Sequence, residues 1–484
     1  MSRYDYDLIV IGAGAAGFVA SKFAAGIGKR VAMIEKGRLG GECTNYGCVP
    51  SKALIRAANA LHQMRRTRDF GLTVEETSWD LVGTGNVLDH VRSVVQKVYD
   101  GHPAGMFENL GIKVMFGQAQ FRDNHTITIN GATISAASFI LATGSSSFIP
   151  PIEGVRTVPY LTNETIFELP GLPGSLIVLG GGPIGTELTQ AFVRLGVDAT
   201  IVEMADQILA REDREVRDLL ASRLVSEGVK IRTRTKAVKL SQEDGKVLLA
   251  VEDEQKKVAF ITADAVLVAV GRNANVDGLD LQKAGVQYSP KGVKADAMLR
   301  TSSPNIFAAG DVVGPYQFSH MAEYQARIAA QNALLPIKKR ANYEHYGWCM
   351  FTDPELAHVG LTEEEARERH GDKVRIYRWA YKDMDRGKTD REEFGMSKFI
   401  CDAGFRIIGA HILGARAGDL IHEAQVAKTL GIPLHKLDSV IHIYPTFTDA
   451  VKQPAKLAYI DHVRENPVVK LLSKLFGKKK QGQR

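Results

Sequence analysis

Cys43 and Cys48 stand together in Gly40-Gly41-Glu42-Cys43-Thr44-Asn45-Tyr46-Gly47-Cys48-Val49-Pro50-Ser51-Lys52. Two thiols with four residues between them can close a small disulfide ring. Pro50 favours a helix that begins at Cys48, because the first turn has no use for the missing N–H. A helix N-terminus favours thiolate over thiol. The segment therefore suits a disulfide that opens and closes by two-electron transfer. A buried or zinc-bound pair is the plainer alternative, but no second His or Cys pair at zinc spacing follows. The expected metal set is empty.

A redox disulfide needs an electron supply, and the surrounding elements offer one. Leu8-Ile9-Val10-Ile11 runs into Gly12-Ala13-Gly14-Ala15-Ala16-Gly17, and Leu176-Ile177-Val178-Leu179 runs into Gly180-Gly181-Gly182-Pro183-Ile184-Gly185. Each is a short apolar strand, a GxGxxG turn and an apolar helical stretch. Each then reaches a second strand ending in an acid, Glu35 or Glu203, 23 residues after the first glycine. A single GxGxxG is weak evidence, whereas strand, glycines, helix, strand and acid in register are specific for a dinucleotide. The first glycine permits the tight turn and the second lets a pyrophosphate approach the helix N-terminus. The acid accepts hydrogen bonds from a ribose. Two such units imply two dinucleotides, and hydride chemistry pairs a flavin with a nicotinamide. FAD and NAD are the expected cofactors. Glu203 suits the unmodified ribose of NAD, since Met204-Ala205-Asp206 offers no arginine for a ribose phosphate. The thiol segment follows Glu35 closely and is expected beside the first cofactor.

The fold class expected is α/β: two Rossmann-like dinucleotide-binding domains, the second inserted in the first, plus an α+β dimerisation domain. Strand-to-turn segments ending at Ala142-Thr143-Gly144 and at Val270-Gly271 bracket the second unit, and Ala309-Gly310-Asp311 follows. The FAD-binding domain is placed at 1–148 and 272–345, the NAD-binding domain at 149–271, and an interface domain at 346–465. Within the last, Lys398 to Cys401 and Ile407 to Ile412 read as antiparallel strands, and Asp419 to Leu430 as an amphipathic helix.

The chain has 484 residues, 45% hydrophobic and 24% charged, with four cysteines. That excludes a disordered chain and a disulfide-stapled secreted scaffold. The tail, 466–484, holds six of the cations and no acid, which leaves the rest balanced at 55 of each sign. A nucleic-acid-binding body is thus unsupported. Val468, Leu471 and Leu472 among Lys470 and Lys474 form a short basic amphipathic stretch. It suits a helix packed on the dimer, or more weakly a membrane surface. Asp5 and Asp7 are wrong for a signal peptide, so a cytoplasmic protein is expected.

From about residue 5 to about 460 the chain resembles the class I flavoprotein disulfide reductases, the group of dihydrolipoyl dehydrogenase, glutathione reductase and mercuric reductase. The Gly40–Lys52 segment matches the redox-disulfide motif closely. Phe351-Thr352-Asp353-Pro354-Glu355 and Val359-Gly360-Leu361-Thr362 match the start of the dimerisation domain. The resemblance implies that Cys48 is the thiol nearest the flavin and forms the charge-transfer thiolate. Cys43 becomes the interchange thiol that meets the substrate, and Lys52 pairs with Glu187 beside the flavin ring. It assigns Gly12, Gly14, Gly17, Glu35, Thr143, Gly144 and Asp311 to FAD. Gly180, Gly182, Gly185, Glu203 and Gly271 fall to NAD. It also implies a homodimer.

One segment departs from the pattern. Where family members that exchange dithiols carry His-Pro-Thr, the His being the general base, this chain reads His442-Ile443-Tyr444-Pro445-Thr446-Phe447-Thr448-Asp449. Tyr444 takes the base position and Asp449 the supporting acid. A phenol, with its pKa near 10, is a poor base at neutral pH. Residues two apart in an extended segment share a face, so His442 is a candidate substitute. Mercuric reductases share the lack of the His base, but the C-terminal cysteine pair they carry is absent here, and Cys349 reads as a buried, unreactive thiol. The reading is an NADH-dependent FAD oxidoreductase acting through Cys43–Cys48 on a lipoamide-like disulfide, a persulfide or a soft metal ion. The alternatives are an NADH oxidase or diaphorase working from the flavin with regulatory cysteines, and a nucleotide-bound redox sensor or partner protein.

Overall fold

The computed structural model describes residues 4–73 and 83–476. The chain divides into two compact units. One comprises Met1–Arg65, Val74–Gln207 and Lys230–Asn342, the other Arg66–Thr73, Ile208–Val229 and Tyr343–Arg484.

The first unit begins with β1 (Tyr6–Ile11), α1 (Ala15–Gly26), β2 (Val31–Glu35), α2 (Gly41–Asn45) and α3 (Cys48–Arg65). It continues through β3 (Ile112–Phe116), β4 (Ala132–Leu141) and β5 (Ser145–Ser147). Next come β6 (Ser175–Leu179), α4 (Pro183–Arg194), β7 (Asp198–Val202), β8 (Lys230–Arg232) and β9 (Ala265–Val268). It ends with β10 (Arg272–Ala274), β11 (Ile306–Ala308) and α5 (Ser319–Leu334). One sheet runs β3-β2-β1-β4 in parallel, with β11 also parallel beside β4. A second parallel sheet runs β8-β7-β6-β9. Its strands lie in sequence between β5 and β10, which pair antiparallel where the chain leaves the first sheet and returns. These are two Rossmann-like folds, the second inserted in the first.

Continuous apolar runs form the central strands because both faces are covered. Leu8 and Val10 face helices α1 and α5 in one apolar cluster. Ala16, Ala20 and Ala24 of α1 and Ala322, Ala326 and Ala329 of α5 are nearly all fully buried there. Small side chains let the two helices approach closely, which brings the start of α5 to the same end of the sheet as the thiol segment.

The second unit is α+β. Its strands β12 (Gly347–Met350), β13 (Glu355–Gly360), β14 (Arg375–Ala380), β15 (Met396–Cys401) and β16 (Ile407–Gly414) form an antiparallel sheet in the order β12-β13-β16-β15-β14. Helices α6 (Ala417–Leu430) and α7 (Asp449–Glu465) pack their Ala424, Ala427, Ala450 and Ala455 into its core. The strands and helix expected between Lys398 and Leu430 are present. The tail continues as α8 (Pro467–Phe476), where Val468, Leu471 and Leu472 are exposed. Lys478, Lys479, Lys480 and Arg484 lie outside the described residues. Among the described residues no helix is long and apolar enough to cross a membrane.

Candidate active site

The two glycine turns are built alike. Gly12 and Gly180 have φ of +108° and +101°. A Cβ on either would strike backbone across the turn, at Ala142 O (2.2 Å) or Ala269 O (2.5 Å). Gly182 is different, because a Cβ there would meet nothing within 4 Å. The protein's own packing does not require a glycine at 182, whereas the close approach of a pyrophosphate does. At the strand ends, Glu35 accepts from Ala13 N–H (2.8 Å) and Gly37 N–H (2.8 Å). Glu203 repeats this with Gly181 N–H (2.7 Å) and Ala205 N–H (2.8 Å). Both carboxylates are thus fixed at the mouth of their turn with lone pairs left for a ribose. These residues fit two dinucleotides. Thr143 donates to Asn275 O (2.7 Å), and Gly144 and Gly271 both have positive φ at the ends of the β5–β10 crossover.

The thiol pair stands on two helices that meet end to end. Gly40 and Gly41 begin α2, and Gly40 N–H bonds Ala13 O (2.9 Å), which ties this turn to the first glycine loop. Cys43 lies within α2, and Cys48 is the first residue of α3. Both are thiols here, with no disulfide closed between them. A hydrogen bond from the Cys43 thiol, the hydroxyl of Ser319 and the charge of Lys52 draw Cys48 down to about 6, against burial. The same bond and burial push Cys43 well above the ordinary thiol range. Ser319 Oγ is 3.7 Å from Cys48 Sγ. The result is one stabilised thiolate beside one retained proton. Lys52, a turn further along α3, makes a 2.8 Å ion pair with Glu187 of α4, whose side chain is buried.

Glu42 carries a second set of contacts. Its carboxylate accepts from Arg272 of β10 and from Asn163 Nδ2 (2.7 Å). Arg272 also donates to Ser145 Oγ (2.7 Å) and Ser145 O (2.8 Å), and Ser145 donates to Asp311 (2.6 Å). Burial raises Glu42 to about 7 and also raises Asp311, with Arg272 opposing both shifts. Glu42, Asn163, Arg272 and Ser319 were not among the expected site residues. Glu42 stands inside the thiol segment and Arg272 directly follows the Val270-Gly271 turn, but a partner 121 or 230 residues away has no local signature. Ser319 opens a helix that the sequence gives no reason to connect with the thiols.

The remaining expected residues lie in the second unit and form a separate arrangement. Tyr444 is 65% exposed, and its hydroxyl donates to Asp385 Oδ2 (3.0 Å), which raises the phenol and lowers the carboxyl. Asp449 is not that partner. It is the first residue of α7 and accepts from Gln453 of its own helix (3.4 Å). His442 does not share a face with Tyr444. Its side chain is buried, with Nε2 on Glu423 (2.9 Å) and Nδ1 on Val440 O (3.0 Å). The local bond to Val440 bends the segment, so the two-residue alternation of an extended strand is lost.

Comparison with known proteins agrees with this geometry. Residues 6–326 match the pyridine nucleotide-disulphide oxidoreductase model, and residues 346–455 match the dimerisation domain of the same family. The chain is 36% identical over 457 residues to a dihydrolipoyl dehydrogenase of Thermus scotoductus, covering 93% of this chain and 97% of that one. It is 33% identical over 452 residues to a mercuric reductase of Bacillus cereus, covering 93% and 71%. A solved Cu(II) complex of the HOCl-induced flavoprotein disulfide reductase RclA from Escherichia coli superposes with a TM-score of 0.82. Its identity is 27%, and the match covers 94% of this chain and all of that one. The chain is an enzyme with FAD and NAD(P) as its cofactors, and it belongs to the pyridine nucleotide-disulphide oxidoreductase family.

Proposed function

We propose that this protein is an NADH-dependent oxidoreductase that delivers electrons through Cys43 and Cys48 to a small acceptor. The acceptor is a disulfide, a persulfide or a soft metal ion. The observation that carries the reading is the polarised thiol pair, one thiolate and one thiol held together beside the Lys52–Glu187 ion pair. Bound FAD supplies a two-electron relay between the nicotinamide and this pair.

The chain's own residues then divide the work. Gly12, Gly14, Gly17 and Glu35 hold the first dinucleotide with Asp311, and Gly180, Gly182, Gly185 and Glu203 the second. Arg234, whose backbone N–H reaches Ala205 O (2.8 Å), turns its guanidinium to Glu254 (3.3 Å), which favours NADH over NADPH. The Cys43 hydrogen bond, with Ser319 and the positive charge of Lys52, keeps Cys48 ionised. Cys43 keeps its proton until an acceptor arrives, then passes it to its hydrogen-bond partner Cys48 and attacks as the thiolate. For a disulfide acceptor, Cys43 sulfur bonds one acceptor sulfur and the other leaves as a thiolate. Cys48 gives the proton it took to the first departing thiolate, attacks Cys43, closes the ring and releases the second thiolate, which takes a proton from solvent.

Tyr444 supports a choice among acceptors. A phenol paired with Asp385 holds its proton more firmly than a free one and is no base at neutral pH. The arrangement therefore favours a soft metal ion, which displaces the thiol proton as it binds sulfur, over lipoamide or a persulfide, both of which need the Cys43 thiolate first. A cytoplasmic dimer fits this chemistry. The test is anaerobic NADH oxidation with mercuric ion, a small persulfide or lipoamide, each against an acceptor-free control. Fast turnover with mercuric ion and slower turnover with the persulfide and lipoamide is expected. Brisk lipoamide turnover refutes the acceptor preference. NADH that reduces the flavin while no acceptor is reduced refutes the thiol route.

A further inference from the structure

Cys43 sits on a helix of only five residues, Gly41–Asn45, too short to hold its own geometry. What holds it is Glu42. The Glu42 carboxylate is gripped on one oxygen by Asn163 Nδ2 and on the other by Arg272. Asn163 also reaches Tyr46 O (3.4 Å), the residue that ends α2, and Ser147 fixes the Asn163 carbonyl (2.6 Å). Arg272 is anchored in turn on both the hydroxyl and the carbonyl of Ser145. Ser145, Ser147 and Arg272 all belong to the β5–β10 ribbon. The thiol turn is therefore pinned through Glu42 and at its end through Asn163, both to the crossover ribbon.

We propose that Glu42, held between Arg272 and Asn163, is a positioning residue that keeps Cys43 within closing distance of Cys48 while the pair is reduced. The inference rests on the reading of Cys43–Cys48 as the electron carrier. When the disulfide opens, the sulfurs part and only non-covalent contacts set their separation. Closing the ring removes two electrons and the one retained proton from the thiol–thiolate pair and forms one Sγ–Sγ bond, so its equilibrium depends on how often the two sulfurs meet. A loose α2 lowers that frequency without touching either sulfur. The site is a costly place for an acid. Burial and the neighbouring Asp311 both disfavour its ionised form. An amide or alkyl side chain would fill the space at less cost, so the charge on Arg272 is what the position selects.

The measurement is the reduction potential of the pair in the FAD-loaded enzyme, equilibrated with reduced and oxidised dithiothreitol and read as the fraction of alkylated Cys43 and Cys48 peptides. Dithiothreitol donates or accepts the two electrons and the pair's one proton, and solvent exchanges the other proton of its dithiol form. Wild-type enzyme should show one two-electron transition. Its absence would sink the electron-carrier reading itself, apart from anything about Glu42. In Glu42→Ala the closing equilibrium should fall about tenfold, which is a potential about 30 mV less negative. Glu42→Gln, which can still bond Asn163, should fall less. Asn163→Ala loosens the turn without altering charge and should move the potential in the same direction. It also decides the matter if Glu42→Ala does not retain FAD. FAD-retaining variants with the wild-type potential would overturn the proposal.

Discussion

The thiol turn of the first unit and the Tyr444 segment of the second treat a proton in opposite ways. Around Cys48 a thiol, a hydroxyl and a lysine converge on one sulfur, and each of them favours its negative form. Around Tyr444 a carboxylate meets a phenol, and the phenol's proton is held more firmly as a result. His442, the one imidazole on that segment, has both ring nitrogens engaged by Glu423 and Val440. One centre is arranged to give up a proton and the other to keep one. The first carries the motif residues that the family resemblance assigns to a redox disulfide, and the second departs from the His-Pro-Thr pattern at Tyr444.

The sharpest break in that comparison removes the sulfurs. Cys43→Ser and Cys48→Ser should each lower acceptor reduction by roughly 10³-fold or more, as loss of a covalent nucleophile does. NADH should still reduce the flavin of both variants in a stopped-flow experiment. Acceptor turnover that survives either change would move the chemistry to the flavin and make the enzyme a diaphorase. Next in size is the ionisation of Cys48. Titrating the long-wavelength thiolate–flavin absorbance of reduced enzyme should give a midpoint of about 6, where an ordinary thiol lies at 9.0. The sign follows from a lowered acid: the thiolate, and the band with it, is present above the midpoint and disappears as pH falls through it. Cys43→Ala removes the leading cause and should move the midpoint upward, since burial then opposes Ser319 and Lys52 without it. An unmoved midpoint would show that the thiol–thiolate bond is not what sets the charge.

The sequence made one side of this comparison far more legible than the other. The glycine turns, Glu35, Glu203 and the Cys43–Lys52 segment are local patterns, and local patterns have fixed spacings because strand, turn and helix have fixed geometry. The parallel sheets and the inserted second fold followed from the repeat. The Lys52–Glu187 pair is long-range and came only from resemblance to the family. Ser319, Asn163 and Asp385 were missed because each acts on a residue more than 50 positions away, and nothing in its own neighbourhood marks it. Asp449 acts on Tyr444 through its charge and not through the hydrogen bond, for a related reason. Five residues apart looks near in sequence, but Asp449 starts a helix and its carboxylate serves that helix. The shared face proposed for His442 assumed an extended strand where the chain bends.

The smallest expected effect tests the Tyr444 side directly. Tyr444→His places an imidazole within reach of Asp385, the carboxylate that now accepts from the phenol. A carboxylate on one ring nitrogen orients the ring and leaves the other nitrogen as a base near neutral pH. Lipoamide turnover should rise about tenfold, short of the roughly 10²-fold or more that a fully positioned base contributes. Flavin reduction by NADH should not change, because no hydride step involves this segment. Tyr444→Phe should leave lipoamide turnover nearly unaltered, because a phenol that keeps its proton supplies no base to lose. A Phe variant as active as wild type together with a faster His variant would mean that the segment still presents its side chain to the reaction and lacks only the right group. If Tyr444→Phe were instead strongly impaired, the phenol would be donating its proton to the departing sulfur, and the segment would be a general acid in its own right.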